Sequence, residues 1–281
     1  MLKSYRGGIL AVWFRLLLTL LVLSLVVPLP VHAKKHETGF LDRAITIQSV
    51  QYKYQVFVPG DWTPHRQWPV ILALHGAGER GDDGLLQTDV GIGTAIRTYR
   101  SAFEAIVVMP QCPKNLWWML PPMDELAMGT LEQATKEFRG DPQHTYLTGL
   151  SMGGYGAWHL AQKYPGRFAA LVVICGGIRP RATVLKAYPD LKNVIPPDSP
   201  NSYAEAAERV GKIPVWIFHG TADDIVPVTE SQRMYEAMKQ VGGEAHYTEY
   251  PGVGHASWNK AYDEPKLFPW LFSKSLAAPS K

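Results

Sequence analysis

The stretch TYLTGLSMGGYGAW, Thr145 to Trp158, passes from a β-branched and aromatic run through Gly-Leu-Ser-Met-Gly into small residues that suit a helix. Gly149, Ser151 and Gly153 form the pattern G-x-S-x-G. Between a strand and a helix, that pattern makes a sharp turn. The glycines remove Cβ atoms where the backbone doubles back, and the serine hydroxyl is left exposed. In an isolated glycine-rich loop the same five residues would mean only a turn. The surrounding chain decides between these readings.

Upstream and downstream lie further apolar, β-rich runs: VILALHG (70–76), AIVVMP (105–110), FAALVVICG (168–176), VWIFHG (215–220) and AHYTEYP (245–251). Continuous apolar runs imply strands covered on both faces, as in a parallel sheet. Helix-like segments alternate with them at 93–103, 124–138, 153–164, 231–241 and 264–276, and a shorter one is expected at 202–210. Two alternating segments at the start, AITIQSV (44–50) and YKYQVFVP (52–59), read as antiparallel edge strands. The expectation is a single α/β domain over 44–281, a mostly parallel, doubly wound sheet of about eight strands with helices on both faces. The segment 177–200, rich in Pro, Asp and Asn, reads as a surface loop.

The first 33 residues differ in kind. Lys3, Arg6 and Arg15 precede LLLTLLVLSLVV and then PLPVHA, the layout of a secretory signal cleaved after Ala33. Extension of the apolar run back to Ile9 leaves an uncleaved anchor as the alternative. Residues 34–43 are expected to form a flexible leader. Those three bases account for the whole formal charge of +3, from 28 Lys and Arg against 25 Asp and Glu. A mature chain of net charge near zero, without basic clusters, argues against a nucleic-acid partner. A membrane enters only if the first segment stays attached. No Cys/His spacing resembles a zinc site, and no metal or cofactor is expected.

In an open α/β sheet, ligands bind beyond the carboxyl ends of the strands. Four such ends carry chemistry here: HGAGERGDD, GLSMGG, HGTADD and PGVGHASW. A serine hydroxyl needs a base within hydrogen-bond reach, and His255, in a glycine-flanked loop after the last strand, is the candidate. His75 and His219, each followed by glycine at a strand end, read as scaffolding. The imidazole in turn needs a carboxylate to set its tautomer. Asp223 is the choice, with Asp224 assigned to capping the turn and kept as the fallback. Oxyanion donors are expected from the backbone N–H groups of Met152 and Ala77.

With these residues in place, the chain resembles the α/β-hydrolase superfamily of serine esterases. It is most similar to the small secreted branch of carboxylesterases, feruloyl esterases, polyhydroxyalkanoate depolymerase-like enzymes and predicted peptidases. WPVILALHGAGERG, MPQCP with a following WW, GLSMGGYGAW, ICGG and HGTADDIVP carry the likeness. It implies the α/β-hydrolase fold and the roles argued for Ser151, Asp223, His255, Ala77 and Met152. The expected activity is hydrolysis of a carboxylic ester, small or polymer-borne, through an acyl-enzyme. A peptidase of prolyl-oligopeptidase type, or an acyltransferase using the same triad, are the alternatives.

Trp117, Trp118 and Trp258 are aromatic candidates for a substrate wall. Arg80 is a candidate for a carboxylate or sugar hydroxyl, or else a partner of Glu79, Asp82 or Asp83. In the family's strand order, two strands separate Cys112 from Cys175. At about 4.8 Å per strand this exceeds the roughly 4.4–6.8 Å Cα separation of a disulfide, so free buried thiols are expected.

Overall fold

The structure is a computed structural model that describes residues 36–99, 103–195, 199 and 201–276. The expected signal and the start of the leader lie outside the described residues. From Glu37 onward the chain forms one compact unit.

Eight strands make one sheet in the order β1-β2-β4-β3-β5-β6-β7-β8. They are β1 (Gly39–Ile47), β2 (Val50–Val58), β3 (Trp68–Leu74), β4 (Ile106–Pro110), β5 (Gly140–Leu150), β6 (Ala170–Ile174), β7 (Val215–Gly220) and β8 (Ala245–Tyr250). The pairs from β4 through β8 are parallel, while β1 and β2 join antiparallel. This is the α/β-hydrolase fold. β4, β6 and β7 are buried at every residue, as their unbroken apolar sequences require, whereas β1 alternates and β8 is only half-covered at the far edge.

The helices are α1 (Ile92–Thr98), α2 (Met123–Glu137), α3 (Met152–Lys163), α4 (Ala182–Ala187), α5 (Ser202–Val210), α6 (Val228–Gln240), α7 (Trp258–Tyr262) and α8 (Leu267–Phe272). Alternate strand residues supply two cores. Leu72, Val108, Leu147, Val173 and Ile217 face α2, α3, α5 and α6. Ile71, Val107, Tyr146, Val172 and Phe218 face α1, α7 and α8. Each large side chain fully buried there contributes about 1.5–3 kcal/mol.

Three differences from the sequence reading have plain physical causes. Residues 39–43 are not a loose leader, because β1 begins at Gly39. Phe40 packs at a tilt against Phe57, 5.4 Å between ring centroids, and Arg43 Nη2 sits 2.7 Å from Glu137 Oε1 on α2. Those partners are distant in sequence, so local polarity hid the strand. β2 is not an edge, since it is sewn between β1 and β4. The 177–200 loop carries α4 and a 3-10 turn at Pro189–Asn193.

Candidate active site

β5 ends at Leu150 and α3 starts at Met152, so Ser151 is the whole turn. It takes φ 51°, ψ −117°, a conformation L-residues seldom adopt and one that costs on the order of 1–3 kcal/mol. The flanking glycines make room for it. A Cβ on Gly149 would lie 2.1 Å from the Gly153 carbonyl oxygen, and one on Gly153 would lie 2.0 Å from that of Leu74. The second approach draws the helix start against the end of β3, where the HGAG loop begins.

The serine hydroxyl donates to His255 Nε2 at 2.8 Å, and His255 Nδ1–H donates to Asp223 Oδ2 at 2.7 Å. Because Nδ1 faces a carboxylate, it holds the ring hydrogen, leaving Nε2 free to accept the proton of Ser151. His255 reaches this position because the 251–255 loop crosses directly over the end of β7. There Gly220 allows the Val253 carbonyl to come within 2.2 Å of where a Cβ would stand. Trp258 packs edge-on against the imidazole, centroids 5.7 Å apart.

Asp223 has no exposed side-chain surface, and its carboxylate takes four donors. Oδ1 accepts the N–H groups of Ile225 and Val226 at 2.9 and 2.8 Å. Oδ2 accepts His255 and also His219 Nε2–H at 3.0 Å. Burial alone would raise the carboxyl pKa, but the bonds from His219, His255 and Val226 outweigh it and hold the group well below the usual carboxylate range. The turn-capping duty assigned from sequence to Asp224 therefore belongs to Asp223 as well. Asp224 is exposed, and its carbonyl accepts Arg181 Nη1.

Beyond the end of β3, the peptides on either side of Ala77 are each held by a side chain. Cys112 N–H donates to His75 Nε2 at 2.9 Å, so His75 Nδ1 carries the hydrogen and donates to the Gly76 carbonyl at 2.6 Å. Arg80 Nε donates to the Ala77 carbonyl at 2.9 Å. A trans peptide points its N–H opposite its C=O, so anchoring the Gly76 carbonyl on His75 turns the Ala77 N–H the other way. The Met152 N–H is the first of α3 and has no intrahelical acceptor. Burial pushes the pKa of His75 down to about 4, opposed only in part by its bond to Gly76.

The remaining candidates divide. Trp118 leaves the substrate group. It is 1% exposed, its indole N–H donates to the His75 carbonyl at 3.0 Å, and its ring meets the His75 ring at 5.1 Å. Trp117 is also buried, between Tyr155 and Tyr188. Arg80 makes no ion pair with Glu79, Asp82 or Asp83. Its guanidinium holds the Ala77 and Leu116 carbonyls and the Tyr188 hydroxyl, tying the turn after α4 to the HGAG loop.

Cys112 and Cys175 are free and buried, each thiol pushed up to about 12 by burial. Among the described residues, Cys175, Asp223 and His255 are the one group close enough to hold a metal ion. The donor set suits that poorly, with the carboxylate already saturated and the thiol kept protonated.

The prolyl oligopeptidase family pattern matches residues 124–273, more than half of the chain, taking in the serine turn, both aspartates and His255. The chain belongs to this family. It is 30% identical over 226 residues to a poly(3-hydroxyoctanoate) depolymerase of Pseudomonas fluorescens, covering 74% of each chain. It superposes on a thermostable esterase with a TM-score of 0.70 and 30% identity, over 84% of this chain and 63% of that one. A ferulic acid esterase, 19% identical with a TM-score of 0.67, shares the fold over 85% of this chain and 99% of its own. This member of the prolyl oligopeptidase family is thus an α/β-hydrolase of the esterase and peptidase type.

Proposed function

We propose that the protein is an exported serine esterase, which hydrolyses a carboxylic ester through an acyl-enzyme. One observation carries the reading: the unbroken relay from Ser151 Oγ to His255 Nε2 at 2.8 Å and from His255 Nδ1 to Asp223 at 2.7 Å. Ser151 Oγ bonds to the ester carbonyl carbon as its proton passes to His255 Nε2. Negative charge collects on the carbonyl oxygen, facing the Ala77 and Met152 N–H groups. The alcohol departs with the proton from Nε2, leaving the acyl group on Ser151. Water then gives a proton to His255 and its oxygen to the acyl carbon; the acyl–Oγ bond breaks, Ser151 Oγ takes the proton back from Nε2, and the carboxylic acid leaves.

Likeness to a depolymerase and an esterase at 30% identity favours an ester over a peptide. A cavity of about 360 Å³ lies along α3, lined by Met119, Tyr155, Trp158 and Ile178 among others. Its lining also includes His159, Lys163 and Arg209 and does not include Ser151 or His255, so it stands apart from the nucleophile.

A fluorophosphonate should label the purified protein, and Ser151→Ala should abolish the label. No labelling of the unaltered protein would sink the reading. p-Nitrophenyl acetate turned over faster than an aminoacyl anilide would support esterase over peptidase. Feruloyl esters, acetylated xylan and 3-hydroxyalkanoate oligoesters are the substrates to rank next. Export rests on the Met1–Ala33 segment alone, and amino-terminal sequencing of the mature protein should begin at Lys34.

A further inference from the structure

His219 takes no part in the relay just described, yet its imidazole touches the carboxylate at the relay's end. It is the penultimate residue of β7, has no exposed surface, and lies four residues before Asp223. Its Nε2 faces two acceptors, Asp223 Oδ2 at 3.0 Å and the Val226 carbonyl at 3.1 Å, so that nitrogen carries a hydrogen. Its Nδ1 lies 2.7 Å from the hydroxyl of Ser231, a buried residue on α6. The ring is therefore gripped on both nitrogens by separate elements.

The consequence falls on Asp223. The two amide donors fix Oδ1 but leave the carboxylate plane free to pivot about it. A donor on Oδ2 that comes from a strand end removes this freedom and aims the remaining lone pair at His255 Nδ1. The same donor shares Oδ2 with His255, so it withdraws negative charge from the oxygen that stabilises the imidazolium. We propose that His219 is a positioning residue of the triad, a second imidazole that orients Asp223 and tempers its hold on His255. A line of contacts then runs from α6 through Ser231, His219, Asp223 and His255 to Ser151. The inference rests on the esterase reading of that triad.

Four groups around the pair are displaced away from neutral pH. Burial raises the Cys175 thiol, after β6, to about 12 and the Tyr155 phenol, on α3, further still. On β8, the Glu249 carboxyl is held low by its bonds from Tyr247 and Gln232. Asp223 is lowered as described above. A shift in the acid limb of the pH–rate profile therefore reports the Asp223–His255 bond.

The variants are His219→Phe, which keeps a ring and removes the donor, His219→Gln, whose Nε2 can reach the same oxygen, and Ser231→Ala, which frees the ring's other nitrogen. kcat and KM for p-nitrophenyl acetate are measured across pH on the full protein, with the rate of fluorophosphonate labelling and Ser151→Ala as blank. His219→Phe should lose roughly 10–100-fold in kcat with KM unchanged, the scale seen when an outer partner of a histidine–carboxylate pair is removed. Its acid limb should move up by about half a pH unit, because Oδ2, relieved of one donor, binds the imidazolium more tightly. His219→Gln should recover most of the rate and return the limb, and Ser231→Ala should move both in the same direction by less.

A His219→Phe enzyme that melts lower but keeps the wild-type limb and labelling rate overturns the proposal, as does a Gln variant no better than Phe. If His219→Phe does not fold, Ser231→Ala decides, and a wild-type limb and rate there overturn it. Failure of the wild-type protein to label has a different signature and removes the esterase reading, and this proposal with it.

Discussion

Ser151 is held at φ 51° although a serine side chain gains nothing locally from that conformation. The strain is offset by the surrounding strand and helix, and it serves to lift Oγ toward His255. Activity and stability should therefore part at this residue. Ser151→Ala and Ser151→Gly should both lose hydrolase activity, by on the order of 10⁴-fold or more. The glycine variant should nevertheless melt above the alanine one, by about 1 kcal/mol of stability, because glycine accepts the positive φ. Equal melting temperatures would mean that the turn is unstrained. Asp223→Asn tests the next residue along. An amide in that place accepts poorly from Nδ1–H and favours the wrong imidazole tautomer, so kcat should fall by roughly 10⁴ with the fold retained, checked by circular dichroism.

The elements bring these side chains together through close backbone approaches, and Gly220 is the one that places His255. A methyl group there would meet two backbone carbonyls, those of Val253 and Gly254, at 2.2 and 2.5 Å. Neither can swing aside as a side chain would. Gly220→Ala should displace the 251–255 loop, cost about 2–4 kcal/mol of stability by denaturant titration, and reduce kcat at least 10²-fold by moving His255. A variant with normal kcat would show that the loop adapts.

Much at this scale was legible beforehand. The fully buried strands announce themselves as unbroken apolar runs, and G-x-S-x-G between VILALHG and HGTADD marks where the sheet turns to chemistry. What stayed hidden depends on partners far apart in sequence. β1 begins five residues early because Phe57 and Glu137 receive Phe40 and Arg43. In the sequence Asp223 reads as the acid and Asp224 as the turn cap, but the fold gives Asp223 both the histidines and the turn amides. Trp118 resembles a substrate wall until its indole is seen bonded under His75. The repeated HG at two strand ends was the available signal for His75 and His219, both buried and each steadying a different half of the site.

For the molecule as a whole, two buried groups of the site, His75 and Asp223, also bear on its tolerance of acid. His75, 4% exposed, has its pKa lowered to about 4, so in the folded state it stays neutral well below the ordinary histidine range. In an unfolded chain the same imidazole takes up a proton near pH 6.5. Between those values the unfolded state binds more protons than the folded one, so stability rises with pH across the interval and falls as acid is added. The full effect is on the order of 3 kcal/mol, lost progressively from about pH 6.5 to about pH 4. Asp223, whose carboxyl is lowered in the fold, adds a separate loss in the same direction. Its contribution is present above its unfolded value near 4 and disappears as pH falls below that. Urea titrations at intervals down this range should therefore show a decline that begins above the carboxylate region. His75→Gln should lessen the upper part of the decline, leaving the share of His159, also lowered by burial, and the part below pH 4; at neutral pH it should slow the hydrolase by loosening the Gly76–Ala77 peptide. A wild-type curve flat from pH 6.5 to 4.5 would mean that His75 is protonated in the folded protein, and the hydrogen bond from Cys112 N–H to its Nε2 could not then exist.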